Sequence, residues 1–295
     1  MIRNSLTPAR DRRTSALFQK LRRMIRRVSS EPAAEDVHQL RTTVRRVETL
    51  LAAREKSFHV DHKLLKQLAR LRRRAGKVRD LDVQIVALRE IRLEAAGVDK
   101  VCVLRHLQKV HKKRTKRLVA AAIEELADGL LARIRRTVSA LLLQPQPAIL
   151  QKDFAAVALD DFAKLARTQA TLDEGNLHGF RMACKRVRYL AEMSETLVAH
   201  RAVAALKRIQ DAIGEWHDRV TLTETAEAVL PNPHSPLLAA LRTRRRSKFI
   251  HALRIVAEAR RALLELRREV RRARRAEAAN ATPVAVRSRA STAAG

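Results

Sequence analysis

Glycine and proline are scarce in this chain, at 7 and 8 of 295 residues. Aromatics are scarcer still for their class, with six Phe, one Trp and one Tyr. Sheets draw on aromatic and β-branched runs broken by frequent turn residues, so this composition excludes a β architecture and points to an all-α protein. The two cysteines, Cys102 and Cys184, lie 82 residues apart with no Cys-x-x-Cys. That excludes a disulfide framework and a zinc ribbon, and suggests two buried small hydrophobes in a reducing compartment. No stretch approaches 18 uninterrupted apolar residues, and no apolar run follows MIRNSLTPARDRRTS. The expectation is therefore a cytoplasmic protein with neither a signal peptide nor a membrane span.

Acids are also in short supply. Lys and Arg number 62 against 31 Asp and Glu, giving +31 and a pI near 11.6. Self-repulsion at that charge works against compaction, so a polyanionic partner is expected: nucleic acid, an anionic membrane surface or a polyphosphate. Apolar residues still make up 46%, enough for a sizeable core. Catalytic signatures are missing. There is no phosphate-cradling Gly-rich loop, no Gly-x-Gly-x-x-Gly turn, no His-Glu-x-x-His and no nucleophile elbow. The Glu-x-Glu-x-Lys signature of triphosphate tunnel enzymes is absent as well. The expectation is a protein that is not an enzyme, with no cofactor, no metal site and no catalytic residue.

What the chain does contain is one stretch written twice. DVHQLRTTVRRVETLL (36–51) is echoed by NLHGFRMACKRVRYLA (176–191). His38, Arg41, Arg45 and Arg46 correspond to His178, Arg181, Lys185 and Arg186. At helical periodicity the first three of each set fall within about 60° of one another. Leu40, Val44, Val47 and Leu51 take the opposite side of the first copy, as Phe180, Cys184, Val187 and Ala191 do in the second. Each copy thus predicts a helix with one face for packing and one cationic ridge, its charges about 5 Å apart along the axis. Arginine forks match phosphate oxygens, and histidine adds a donor that is partly charged near neutrality. The two ridges together are expected to hold a polyanion made of phosphates. A bland alternative is a solvated face or pairing with neighbouring acids, but such a face has no reason to repeat residue by residue.

Proline marks the helix breaks. Helices are predicted at about 9–28, from Pro32 to 54, 60–93, 99–126 and 129–143, then 149–171, 176–198, up to 229, and 237–275. Pro32 is placed in a first turn, where a missing N–H costs nothing. Gln144-Pro145-Gln146-Pro147 is the best boundary, and the Ala/Ser/Thr-rich residues 276–295 read as a disordered tail. A second echo aligns Gly76-Lys77-Val78-Arg79-Asp80 with Gly214-Glu215-Trp216-His217-Asp218, offset by 138 residues against 140 for the first. Two landmarks in one order imply an internal duplication: two pseudo-symmetric four-helix bundles, 9–143 and 148–275. Asp80 and Asp82 are expected to pair with arginines of the repeated helix. Val220 replaces the second acid in the later copy, against a two-carboxylate catalytic device built twice. Trp216 and Tyr189 are assigned to packing, and eight aromatics supply few stacking platforms for single-stranded nucleic acid.

Taken together, HQLRTTVRR (38–46), GKVRDLDV (76–83), HGFRMACKRVRY (178–189) and LKRIQDAIGEWHD (206–218) resemble the CHAD family, the conserved histidine α-helical domain. The likeness spans roughly 9–275. It implies two helical bundles with a basic surface or central pore that binds inorganic polyphosphate, and association with polyphosphate granules. Carried across position by position, the implied contacts are His38, Arg41, Arg45, Arg46, His178, Arg181, Lys185, Arg186 and Arg188, with Arg79 and Lys207 added from the following helices. One departure is Glu48, which stands where the second copy has Arg188. Either a contact is lost there or Glu48 has an internal partner. A basic, nucleic-acid-associated helical protein is the alternative, resting on the Arg-rich 242–275 segment and the tail.

Overall fold

Side chains that take up free backbone groups mark the start of several helices. In the computed structural model Asp61 accepts the N–H groups of Lys63 and Leu64 at 2.8 and 3.3 Å, Thr196 Oγ1 accepts that of Ala199 at 3.2 Å, and Ser235 Oγ that of Leu237 at 3.1 Å. The structure describes residues 7–54, 61–92, 97–143, 154–192 and 194–281. Among them it forms nine helices and no strand: α1 (Thr7–Val28), α2 (Ala34–Arg54), α3 (His62–Arg89), α4 (Gly97–Ala127), α5 (Leu130–Leu143), α6 (Phe154–Thr168), α7 (Leu177–Ala191), α8 (Leu197–Val229) and α9 (Pro236–Ala281). The all-α expectation holds. Gly129 turns the chain between α4 and α5 at φ +76°, a left-handed conformation that suits a residue without Cβ.

Three boundaries differ from the sequence reading. Pro32 precedes α2 instead of sitting in its first turn, because Asp36 Oδ2 takes the Ala33 N–H at 3.2 Å and starts the helix there. The repeated helix α7 stops at Ala191, not near 198, and the Ser194–Thr196 hydroxyl pair, 3.2 Å apart, leads into α8. Helix α9 continues to Ala281, since Ala276, Glu277, Ala278 and Ala279 are strong helix formers. The Gln144–Pro147 boundary and residues 282–295 of the expected tail lie outside the described residues.

Contacts group the chain into two units: residues 1–149 with 221–241, and residues 150–220 with 242–295. This grouping reaches across the sequence boundary, so α8 and α9 each contribute to both. In the first unit Phe18, Ile25, Leu40, Val44, Leu64, Leu71 and Ile134 share one core. A second core there joins Leu88, Ile91, Val103 and Leu107 to Leu222, Leu230, Leu237 and Leu241. The second unit centres on Phe162, Phe180, Cys184, Leu206, Ile213, Trp216 and Val256. Every apolar position assigned to the packed face of the repeated helices is buried. Of the cysteines, Cys184 is buried, whereas Cys102 is exposed on the outer side of α4 beside Val98 and Val101. Burial pushes the Cys184 thiol up to about 12, outweighing the nearby Arg260 charge, and keeps it unreactive.

Candidate functional site

The buried rows of α2 and α7 fix how each cationic ridge is presented. Val37, Leu40, Val44, Val47 and Leu51 anchor α2 in the first unit's core, leaving His38, Arg41 and Arg45 half-buried and Arg46 exposed. Arg41 lies across α3 at Gly76, where a Cβ would stand 3.8 Å from its Nε. Its Nη1 is 3.6 Å from Asp80 Oδ1, a carboxylate that is 60% exposed. Exposed pairs of this kind contribute about 0–1 kcal/mol, so a phosphate can displace the carboxylate at little cost. Arg46 and Arg79 make no ion pair among the described residues.

Neighbouring acids in this unit are engaged. Glu48 does have an internal partner: Arg72 Nε of α3 is 2.7 Å from its Oε2. Asp80 pairs with a repeated-helix arginine as expected, but Asp82 does not. Its Oδ1 is 2.8 Å from His111 Nε2 of α4. This carboxylate therefore ties α3 to α4 instead of steering α2.

In the second unit Leu177, Phe180, Cys184, Val187 and Ala191 bury one side of α7, and His178 and Arg186 are exposed on the other. Arg181 Nε donates to the Gln210 carbonyl of α8 at 3.0 Å. Its guanidinium then covers Gly214, where an added Cβ would meet Nη2 at 3.0 Å. An arginine of the repeated helix therefore lies over a glycine in each unit, at equivalent positions of both sequence echoes, loosely at Gly76 and tightly at Gly214. A glycine in mid-helix costs up to about 1 kcal/mol relative to Ala. At Gly214 the close approach of Arg181 accounts for it.

His217 joins this cluster, and the sequence reading had not assigned it to the site. Its ring centroid is 4.7 Å from that of His178, tilted by 37°. Burial, then the His217 and Arg181 charges, hold His178 below the usual imidazole range. The pattern Trp216-His217-Asp218 offered only a landmark in sequence, because a contact across two helices has no local signature. Lys185 and Arg186 continue the ridge along α7.

Arg188 and Lys207 stand differently. Arg188 Nε is 3.2 Å from Glu192 Oε1 and its guanidinium lies 5.2 Å from the Tyr189 ring centroid. Lys207 Nζ is 3.9 Å from Asp211 Oδ2, with both side chains exposed. Trp216 packs on Phe249 at 5.7 Å, consistent with a structural assignment. No group of three His, Cys, Asp or Glu side chains among the described residues is placed to hold a metal ion. No described helix is long and apolar enough to cross a membrane.

Comparison with known proteins bears on the family and the fold. A model of the CHAD domain matches residues 12–227. Among solved structures, the crystal structure of the CHAD domain from the plant Ricinus communis superimposes with a TM-score of 0.62 at 20% identity, covering 88% of this chain and 91% of that one. At that identity the likeness speaks for the fold. No curated protein matches the chain.

Proposed function

The chain belongs to the CHAD family, and from that premise we propose that it binds inorganic polyphosphate without catalysis. The contacts are the ridges of α2 and α7: His38, Arg41, Arg45 and Arg46 on one, His178, Arg181, Lys185, Arg186 and Arg188 on the other. Arg79 and Lys207 add charge from α3 and α8. The observation that carries this reading is the repeated seat, Arg41 on Gly76 and Arg181 on Gly214. A solvated charged face needs no such support. Arg181, bonded to the Gln210 carbonyl and packed on Gly214, and Arg41, laid over Gly76 beside Asp80, have already lost side-chain freedom, so less is lost when they meet a phosphate. Polyphosphate binding in turn gives a route to polyphosphate granules.

Asp80 and Asp82 serve as partners of Arg41 and His111 in this reading. A metal-dependent hydrolase using them would release phosphate when magnesium or manganese is added; none is expected. Nucleic acid is the competing polyanion, and titration separates the two. Long-chain polyphosphate held by the protein should resist displacement by duplex DNA at equal phosphate concentration. Full displacement by the duplex would favour the nucleic-acid reading.

A further inference from the structure

Helix α4 carries a second cationic surface apart from the α2 and α7 ridges. From Lys100 to Ile123 it contains no acid and eight Lys or Arg residues. Two of the eight are used internally. Lys100 Nζ donates to the Arg89 and Ile91 carbonyls at 3.1 and 2.6 Å, and Arg114 Nη1 to the Lys77 carbonyl at 3.2 Å. The other six, Arg105, Lys109, Lys112, Lys113, Lys116 and Arg117, are all exposed. None has a carboxylate partner among the described residues. Asp99 in the first turn of α4 takes the Ser235 hydroxyl, and the next acids, Glu124 and Glu125, both pair with Arg70 of α3. Attractive pairing thus holds the inner side of α4 to its neighbour, while its outer side is left with one sign of charge.

We infer that this face of α4 docks the phosphate backbone of duplex nucleic acid, without reading its sequence. Six cations from residue 105 to 117 span about 18 Å of helix, roughly one per 3.6 Å. A duplex presents about one charge per 1.7 Å of its axis, both strands counted, so a row of this length faces several phosphates. Val103, Leu107 and Leu118 lie behind the row in the cores, and no Phe, Tyr or Trp stands among its six cations, His106 being the one exposed ring beside them. A flexible polyphosphate chain would lose more freedom here than a stiff duplex does. Unstacked bases would find little to stack on. A base-paired duplex needs no such platform. An anionic lipid surface would favour apolar side chains among the charges, but the nearest exposed ones, Val98, Val101 and Ile123, lie beyond both ends of the charged row.

The test uses the full chain and three probes: a 30-base-pair DNA duplex, long-chain polyphosphate, and vesicles of phosphatidylserine in phosphatidylcholine. One variant changes Lys109, Lys112, Lys113 and Lys116 to Gln; a control of equal charge changes Arg135, Arg136, Arg272 and Arg275 to Gln. Losing four phosphate contacts should flatten the slope of log affinity for the duplex against log salt by about 3.6. The duplex Kd should rise at least about tenfold, and the control should keep the original slope. Equal flattening by both variants would overturn the inference in favour of diffuse charge. Loss of vesicle binding with duplex binding intact would overturn it in favour of lipid. On the unmodified chain, the duplex should protect the four α4 lysines from acetylation; unchanged reactivity would also overturn it. The polyphosphate arm reports separately on the α2 and α7 ridges, so either proposal can fail alone.

Discussion

Helices α2 and α7 carry the same motif but different surroundings. Both have four Lys or Arg residues, yet α2 also contains Glu35, Asp36 and Glu48, whereas α7 has no acid at all. Around α2, Glu48 takes Arg72 and Asp80 takes Arg41. Around α7, Arg181 is bonded to a main-chain carbonyl and His178 faces His217. The acids of α2 lie within the helix and on α3, where they bind the two helices together, whereas the acid that takes Arg188 of α7 is Glu192, just past the end of that helix.

The largest expected effect breaks the scaffold under one ridge. Phe180 is fully buried beneath the Arg260 guanidinium, 4.9 Å from its ring centroid. Phe180→Ala should cost about 3–5 kcal/mol in chemical denaturation, and Leu40→Ala under α2 about 2–5 kcal/mol. The glycine seats give a sharper contrast. At Gly214 an added methyl would stand 3.0 Å from Arg181 Nη2 and displace the guanidinium by a few tenths of an ångström, so Gly214→Ala should weaken polyphosphate binding measurably in titration calorimetry. At Gly76 the same methyl makes ordinary contact, so Gly76→Ala should leave affinity unchanged and add about 0.5–1 kcal/mol of stability.

Smaller effects test the charge difference. Asp80→Asn with Glu48→Gln should raise polyphosphate affinity about two- to threefold by releasing Arg41 and Arg72, within the range expected for exposed pairs. If the affinity falls instead, the acids hold the arginines in their binding geometry. A pH effect is expected on α7. His178 should titrate below about 6.5 in an NMR experiment, and polyphosphate should raise its midpoint by stabilising the cation. Because its folded pKa is depressed, the associated stability is present above the unfolded imidazole value. It is lost as pH falls through the folded one.

Much of this was legible from period and repetition. A 3.6-residue spacing separated Leu40, Val44, Val47 and Leu51 from His38, Arg41 and Arg45, and all four apolar residues are buried. Echoed motifs located the glycines. The seat itself was not legible, because two residues 35 positions apart in Arg41 and Gly76 meet only once α2 and α3 pack. Asp82 was misassigned for a related reason: its partner His111 is on α4, and any nearby arginine looked as suitable in sequence. The sharing of α8 and α9 between units left no mark either. Their apolar faces continue through Leu222, Ala226 and Leu241 without a change in composition.

The most direct test of the ridges compares two losses of equal charge. Arg41→Ala with Arg181→Ala removes both seated arginines; Arg287→Ala with Arg289→Ala removes two near the C-terminus. Polyphosphate affinity, measured at one salt concentration, should fall at least about tenfold for the first pair and less than about twofold for the second. Equal losses would mean that bulk positive charge, not a built site, attracts the polyanion.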